Sequence, residues 1–408
     1  FRLADVLRAP PVDGQVWLVT GTPGADRVVF AAAAYRSGLP MTTFQTRLWF
    51  LEQFEAAAGV NNIVALYRLR SDIDLDRLRQ AFSDVASRHE ILRTVLKYEG
   101  GEPFQNVLEE VEFDWIRETL EDRATLQRRV AEQAAHSFDL GARPPWRVYV
   151  AQFEGEHRLL LVIHHVLLDA ASLQVMLDEV TASYQGEQAA PKALQYGDYS
   201  AWQQARLESG EYDSGLAFWE SELRGPLPVL NFPSFVARPP DQRFAGGTRS
   251  LTLEEPIVRS IRRLAADRSS SPFNVLIAAY CALLLRYCRQ DSVVVGTPVG
   301  TIRYEIGADK ALGPYLNTVA LHVRPEPESS FAALIDHVSE KCRRAFSHAD
   351  VPFEEIVRSL ELPIDTSRTP VFQTLFAYQS DIDPDQIPGF CEAQETVPWT
   401  RARTDLAC

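Results

Sequence analysis

The most constraining feature of this sequence is an uninterrupted apolar run, Leu159–Ile163, that leads directly into two adjacent histidines. Such a run predicts a buried β-strand that delivers His164 and His165 at its end. Asp169 lies four positions beyond His165, and the apolar spacing that follows it predicts a helix beginning there. The segment therefore predicts a strand, a short loop and a helix in immediate succession.

Histidine at the end of a buried strand suits proton transfer, because its ordinary pKa of about 6.5 lets the ring accept a proton at neutral pH. The alternative is a packed core histidine, with Asp169 serving only as a helix cap. Two adjacent histidines with an aspartate at a fixed offset form a more specific pattern than a lone histidine. The pattern favours a catalytic site without deciding between the two imidazoles.

Strand and helix periodicities alternate along both halves of the chain. The predicted helices are Thr43–Ala58, Asp74–His89, Arg123–Ser137, Pro272–Arg289 and Ser330–Phe346. The predicted strands are Arg93–Tyr98, Trp146–Phe153, Ser292–Pro298 and Leu316–Val323. This alternation predicts an α/β (α+β two-layer) fold made of two halves of comparable size.

Breaks in the pattern divide the chain into three predicted parts. Residues 1–37 hold two apolar segments around a Gly- and Pro-rich turn and predict an N-terminal hairpin or linker extension. Prolines interrupt the pattern between about residues 186 and 250, so the interdomain connection is placed there. Residues 38–215 then form an N-terminal lobe that carries the histidines, and residues 216–408 form a C-terminal lobe.

Composition narrows the function classes. A net charge of −14 over 408 residues disfavours nucleic acid or an anionic membrane surface as a partner. The five cysteines show no metal-ligand spacing and are interpreted as reduced thiols, Cys281 and Cys288 as buried ones, so no metal site is expected and the cytoplasm is the expected compartment. No run approaches the roughly 18 apolar residues of a membrane span.

Seven ordered stretches of the chain resemble the sequence motifs of condensation domains of nonribosomal peptide synthetases. The similarity extends over about residues 38–408 and includes the family's His-His-x-x-x-Asp-Gly motif at Ile163–Ala170. The stretches are Pro40–Leu51, Arg88–Val95, Ile163–Ala170, Tyr196–Trp202, Leu312–Thr318, His348–Glu354 and Ser367–Gln373. Members of this family usually continue past the position of Cys408, so the C-terminal lobe is expected to be incomplete at its end.

The resemblance implies a fold and an activity. The fold is two lobes, each like a chloramphenicol acetyltransferase subunit, in a V arrangement with a central tunnel. The activity joins a donor acyl or peptidyl thioester to the amine of an acceptor aminoacyl thioester and forms an amide bond. Donor and acceptor peptidyl carrier proteins are the implied partners, with an adjacent adenylation domain as a further candidate. Their phosphopantetheine arms enter the tunnel, and the domain binds no cofactor of its own.

The same resemblance assigns roles to the matched residues. His165 is the catalytic candidate that contacts the nucleophile, as a base or by orienting the amine. Because adjacent strand residues face opposite sides, His164 is expected to be a packed, hydrogen-bonded core residue. Asp169 is expected to be architectural and to pair with a buried cation, for which Arg93 is the best candidate.

Two further positions leave alternatives open. Ala170 stands where the family motif has glycine, so it either obstructs a close backbone approach or occupies the first turn of the helix at little cost. Asn317 either places an amide in the tunnel or bonds the ends of strands. Both remain supporting site candidates.

Other activities within the same family are weighed against this one. The Asp-x-x-x-x-Asp pattern of heterocyclisation domains is absent, and the Trp-Arg pair that usually continues the motif in epimerisation domains is replaced by Ala171 and Ser172. A catalytically silent domain that recruits a tailoring enzyme usually has an altered second histidine, whereas His165 is intact. Ester formation with a hydroxyl acceptor, by a free-standing condensation enzyme, stays open.

Overall fold

The computed structural model describes residues 18–19, 29–30, 37–54, 59–187, 194–233, 237–363, 365–378, 387–397 and 400–408. The helices are α1 Thr43–Glu52, α2 Leu75–Arg88, α3 Arg123–Ala134, α4 Ala170–Gln185, α5 Tyr196–Glu208, α6 Asp213–Glu222, α7 Glu255–Asp267, α8 Pro272–Cys288, α9 Thr301–Glu305, α10 Phe331–Phe346 and α11 Phe353–Ser359. The strands are β1 Leu18–Val19, β2 Val29–Phe30, β3 Ser37–Pro40, β4 Asn62–Leu69, β5 Thr94–Glu99, β6 Glu102–Val107, β7 Asp114–Thr119, β8 Trp146–Phe153, β9 Glu156–His164, β10 Val293–Val299, β11 Asn317–Val323, β12 Thr374–Leu375, β13 Cys391–Glu395 and β14 Leu406–Ala407. The predicted mixed α/β class is confirmed.

The chain forms two compact units that are not contiguous in sequence. The first unit comprises the described parts of Phe1–Glu211, Thr301–Tyr315 and Asp381–Trp399, and the second the described parts of the remainder. Two segments of the predicted C-terminal half therefore pack with the first unit. One reason is strand pairing, since β13 adds to the edge of the first unit's large sheet by pairing antiparallel with β4.

The first unit is built on a five-stranded sheet with the order β13-β4-β9-β8-β7. Strand β9 lies at its centre, and its predicted apolar run is buried on both faces. Leu161 and Ile163 join the larger core, beneath α2 and α4, whereas Leu160 and Val162 join the core under α3. This two-sided burial explains why the sequence shows a continuous apolar run there rather than an alternating one.

A second sheet of the first unit has the order β3-β6-β5. The sequence predicted a strand from Arg93 to Tyr98, and the structure places β5 one residue later. The shift arises because Glu90–Arg93 forms a 3-10 turn directly after α2, and the Thr94 hydroxyl donates to the Glu90 carbonyl at 2.8 Å. The motif Arg88–Val95 thus spans a helix end, a turn and the start of a strand.

The second unit holds a four-stranded sheet with the order β11-β10-β12-β14. Helices α8 and α10 pack on one another, and α10 also packs on β11. Gly296 in β10 permits a close approach, because a Cβ there would lie 2.5 Å from the Phe372 ring. The Cys281 thiol of α8 is buried as predicted, but Cys288, at the helix end, is partly exposed.

Two predicted segments differ from the structure or extend beyond its described part. The predicted connection at residues 186–250 contains α5 and α6, whose large aromatic residues Trp202 and Trp219 are each only 1% exposed. The sequence did not predict these two helices, because several of the buried positions of α5 are polar residues. The N-terminal hairpin is described only by the antiparallel pairing of β1 with β2, and its turn lies outside the described residues.

Within the described part of the chain, no single helix is both long and apolar enough to span a membrane. Helices α7 and α8 pass that test only when taken together, and they are bent by 104° at the break between them.

Candidate functional site

The adjacent histidines lie where β9 ends against the start of β4. His164 is the last residue of β9 and faces Asn62 in the antiparallel register. The His164 amide donates to the Pro145 carbonyl at 2.9 Å, and the His165 amide donates to the Asn61 carbonyl at 2.8 Å. Both backbone positions are therefore fixed by neighbouring strands. The backbone hydrogen bonds at this end of the large sheet therefore set the positions of His164 and His165.

His164 is a fully buried core residue. Its Nδ1 accepts a hydrogen bond from the Val166 amide at 3.2 Å, and its Nε2 lies 3.0 Å from Glu52 Oε1. Because Nδ1 acts as an acceptor, the ring proton lies on Nε2, which donates to the carboxylate. Both ring nitrogens are engaged inside the protein. These contacts agree with the structural role expected for His164, while its partner Glu52 was not foreseen.

Both residues are buried, and His165 is the more exposed of the two, at 8% against 0% for His164. Its ring contacts the Phe44 ring edge-on, with centroids 5.3 Å apart. The following loop is tied down by Gln45, whose Nε2 donates to the Val166 carbonyl at 3.1 Å. Strand β9 thus supplies the histidine, and helix α1 supplies the surface against which it rests.

Helix α1 is itself held firmly. Thr42 caps it by accepting from the Gln45 amide at 3.2 Å, and the Gln45 side chain accepts from the Thr42 amide at 3.2 Å. This capping box satisfies backbone donors that a helix start would otherwise leave without partners. Gln45 therefore has two tasks, since it caps α1 and also holds the loop after His165. These hydrogen bonds of Thr42 and Gln45 give a physical reason for the resemblance of Pro40–Leu51 to the family's first motif.

Asp169 is both a helix cap and half of a buried ion pair. Its Oδ1 accepts from the Ser172 amide at 2.8 Å and from Arg303 Nη2 at 2.9 Å. Its Oδ2 accepts from the Tyr315 amide at 3.0 Å. The side chains of Asp169 and Arg303 are 5% and 3% exposed. The carboxylate fixes the start of α4 to the 301–315 segment of the first unit.

The predicted pairing of Asp169 with Arg93 is wrong. Arg93 ends the 3-10 turn, and its Nη1 donates to the Leu108 carbonyl. The Arg93 carbonyl in turn accepts from the Leu108 amide at 2.9 Å, so this residue closes the β5–β6 hairpin. The expectation of a buried cationic partner was right, but its identity was not. No local signal marked Arg303, which lies 134 residues from Asp169 in the sequence.

The Arg303 guanidinium organises the 301–315 segment around it. Nη1 donates to the Ala311 carbonyl at 2.8 Å, and Nη2 contacts the Gly313 carbonyl at 3.2 Å and the Ser172 hydroxyl. The cation also lies 4.7 Å from the centre of the Tyr315 ring. Burial raises the pKa of the Tyr315 phenol well above its usual range, which the nearby arginine only partly offsets. Tyr315 therefore stays neutral and structural at ordinary pH.

The structure shows the surroundings of the two open positions. Ala170 is the first residue of α4, where alanine is a favourable helix residue, and its backbone does not adopt a positive φ. The Asn317 side chain donates to the carbonyls of Ala349 and Val351 at 2.7 and 2.6 Å. Its Oδ1 accepts from the Phe353 amide at 3.0 Å. Asn317 thus orders the loop before α11.

The described residues contain no group of three or more His, Cys, Asp or Glu side chains arranged to hold a metal ion. The groups that the structure places around the end of β9 are the His165 imidazole, backbone amides and the buried Asp169–Arg303 ion pair. Such groups can bind, orient and move a proton.

Comparisons with known proteins agree with this geometry. The family model described as Condensation domain matches residues 35–399. The chain is 31% identical over 381 residues to surfactin synthase subunit 1 of Bacillus subtilis (strain 168), covering 93% of this chain and 10% of that protein. It is 30% identical over 385 residues to tyrocidine synthase 2 of Brevibacillus parabrevis, covering 93% of this chain and 10% of that protein. The chain thus spans a small part of the relatives that it matches.

Solved structures show the same fold. The X-domain from teicoplanin biosynthesis superposes with a TM-score of 0.83 at 28% identity, covering 92% of this chain and 86% of that one. The condensation domain of the monacolin K polyketide synthase MokA superposes with a TM-score of 0.81 at 23% identity, covering 91% and 89%. With the matched family model and relatives, these findings show that the chain belongs to the condensation domain family of nonribosomal peptide synthetases.

Proposed function

We propose that this domain joins a carrier-bound donor acyl or peptidyl thioester to the amine of a carrier-bound acceptor and forms an amide bond. The observation that supports the proposal is the difference between the surroundings of the two histidines. His164 engages both ring nitrogens internally and is 0% exposed, whereas the adjacent His165 is 8% exposed. We therefore take His165, rather than His164, as the imidazole that meets the nucleophile.

The proposed chemistry needs few groups. The acceptor nitrogen attacks the thioester carbonyl, a C–N bond forms, and the C–S bond breaks to release the donor arm as a thiol. The nitrogen must lose a proton along the way, and His165 is the residue proposed to accept it or to orient the amine. Most of the acceleration would come from holding two thioesters together, for which effective molarities of about 10⁵ M and above are known. The phosphopantetheine arms belong to the carriers.

Asp169 and Arg303 take no direct part in this proposal. They hold the loop after β9 and the start of α4, so that His165 keeps its position. The proposed partners are donor and acceptor peptidyl carrier proteins and an adjacent adenylation domain. The reaction is placed in the cytoplasm, in keeping with the thiol state of the cysteines.

The test is single-turnover product formation with donor and acceptor groups loaded on carrier proteins. Wild-type protein is compared with His165→Ala, and circular dichroism establishes that both are folded. His157→Ala is a matched control, because His157 lies on the same strand, β9, near its opposite end. Product from the wild type and the control, lost in the folded His165 variant, supports the proposal. Equal product from all three would overturn the role of His165.

A second candidate is a silent domain that binds a tailoring enzyme. The similarity to the X-domain from teicoplanin biosynthesis favours this candidate. One structure of that X-domain is a complex with OxyB, and this chain superposes on it with a TM-score of 0.82. The intact His165 argues against it. Wild-type protein that yields no product with several amine acceptors would favour this candidate. Product with hydroxyl acceptors alone would instead indicate ester formation.

A further inference from the structure

The Glu52 side chain is a buried carboxylate in contact with His164. Glu52 is the last residue of α1, and its side chain is only 4% exposed. Nothing in the sequence motifs distinguishes it. Burying a carboxylate is costly unless hydrogen-bond donors surround it, so its position calls for an explanation.

The Glu52 carboxylate is linked to both histidines. Its Oε1 lies 3.0 Å from His164 Nε2 and accepts from Asn61 Nδ2 at 3.1 Å. Asn61 in turn uses its backbone carbonyl to accept from the His165 amide at 2.8 Å. One oxygen atom thus reaches His164 through its ring and His165 through the backbone of Asn61.

These contacts fix the tautomer of His164 and the position of the Asn61 side chain. The carboxylate holds the His164 proton on Nε2, because Nδ1 is occupied by the Val166 amide. It also fixes the Asn61 side chain, whose own backbone anchors His165. Without the carboxylate, a buried ring N–H and a buried amide would both lose their acceptor and would have to reorganise. A reacting group misplaced by about 1 Å can lose about 10²-fold in rate.

We propose that Glu52 is a positioning residue for the condensation reaction, acting through His164 and Asn61 to hold His165 in place. This inference rests on the proposed function. It adds a residue outside the His-His-x-x-x-Asp motif, contributed by a different element of the fold.

The surface next to Glu52 offers a direct test. A cavity of about 510 Å³ is lined in part by Glu52 together with Trp49, Gln53, Tyr98 and Phe138. A small carboxylate from solution can therefore approach the place that a truncated side chain leaves. Formate is the probe, because its two oxygens reproduce the acceptor in the least volume.

The experiment compares Glu52→Gln, Glu52→Ala and Glu179→Ala. Glutamine keeps an oxygen that can accept from both donors, so its single-turnover rate at saturating carrier should stay within about threefold of the wild type. Alanine should lower that rate about tenfold or more, with little change in the half-saturating carrier concentration. Formate should restore part of the rate of the alanine variant and leave the wild type unchanged.

Glu179 provides the matched control. It forms a similar glutamate–histidine pair, with Oε2 2.9 Å from His89 Nε2, between α2 and α4. Its loss should lower the melting temperature but leave the saturated rate unchanged. A folded Glu52→Ala variant with the wild-type rate would overturn the proposal, as would an equal loss in Glu179→Ala. If Glu52→Ala does not fold, Asn61→Ala decides instead, and a wild-type rate in that variant would overturn it.

The ring nitrogens of His164 give a readout that needs no turnover. Histidine-labelled protein should show the Nε2–H tautomer in the wild type and in Glu52→Gln, and a mixture in Glu52→Ala. Wild-type protein that forms no product would overturn the proposed function rather than this geometry. The nitrogen spectra would then decide the positioning claim, because identical tautomers in all variants would contradict it.

Discussion

The Asp169–Arg303 pair provides the sharpest prediction about stability. Replacing Asp169 with alanine removes the charge that faces a guanidinium only 3% exposed. Removing one partner of a buried pair typically costs about 3–5 kcal/mol, because the remaining charge stays buried without compensation. Loss of the cap on the Ser172 amide adds about 1 kcal/mol. We therefore expect Asp169→Ala to lower the free energy of unfolding by about 4–6 kcal/mol.

Asparagine separates these contributions. Asp169→Asn keeps an oxygen that can cap α4, since asparagine is as good a cap as aspartate, but it removes the charge. The double variant Asp169→Ala with Arg303→Met removes both charges, and methionine fills much of the volume of the arginine stem. It should be more stable than Asp169→Ala alone, because the uncompensated cation is gone.

The assay is urea unfolding, monitored by circular dichroism and tryptophan fluorescence. It compares the wild type, Asp169→Ala, Asp169→Asn and the double variant. The result that would refute this reasoning is a loss of about 1 kcal/mol or less for Asp169→Ala, because the cap alone accounts for that much. A double variant less stable than Asp169→Ala would likewise contradict the claim that buried charge dominates. Either result would mean that the charge of Asp169 contributes little to the free energy of unfolding beyond its capping of α4.

Three other outcomes follow from named contacts. Phe44→Ala removes the ring that rests on His165, so we expect a broader tolerance for bulky acceptors in competition assays, and an unchanged acceptor preference would contradict this. Asn317→Ala removes the side chain that bonds two carbonyls and two amides, so thermal unfolding should show a loss of about 1–3 kcal/mol with little change in the saturated rate. Burial raises the pKa of the Cys281 thiol to about 12, so a thiol reagent at pH 8 should label the exposed Cys408 and spare Cys281 until the protein unfolds. Labelling of both at equal rates would show that α8 opens readily.

The sequence predicted the elements whose burial follows one clear period. Strand β8 was predicted at its observed bounds, and α10 was predicted to within one residue, because Ser330 caps it. Helices α5 and α6 were missed because neither has a clear apolar period. The buried positions of α5 mix tyrosines and a tryptophan with polar residues, and those of α6 are Gly215 and Trp219. Local periodicity carries no information about the tertiary contacts that bury such positions.

The same contrast between local patterns and tertiary contacts applies to the residues of the candidate site. The histidines and Asp169 could be found from one short segment, because the strand, loop and helix that hold them are consecutive. Arg303 and Glu52 lie 134 and 112 residues from their partners, and nothing in their own neighbourhoods marks them. Pairing over such distances depends on how the units fold, as does the return of β13 to the large sheet. Arg93 lies in a family motif stretch but does not pair with Asp169, because motif membership does not determine which side chains meet in the fold.

The measurement that tests the central claim most directly is the mass of the acceptor carrier after one turnover. With wild-type protein, the account predicts that the acceptor gains the donor acyl group through an amide that survives mild alkaline hydrolysis, unlike the thioester. With folded His165→Ala, it predicts that the acceptor mass stays unchanged. An equal gain in mass with both proteins would contradict the assignment of the reaction to His165.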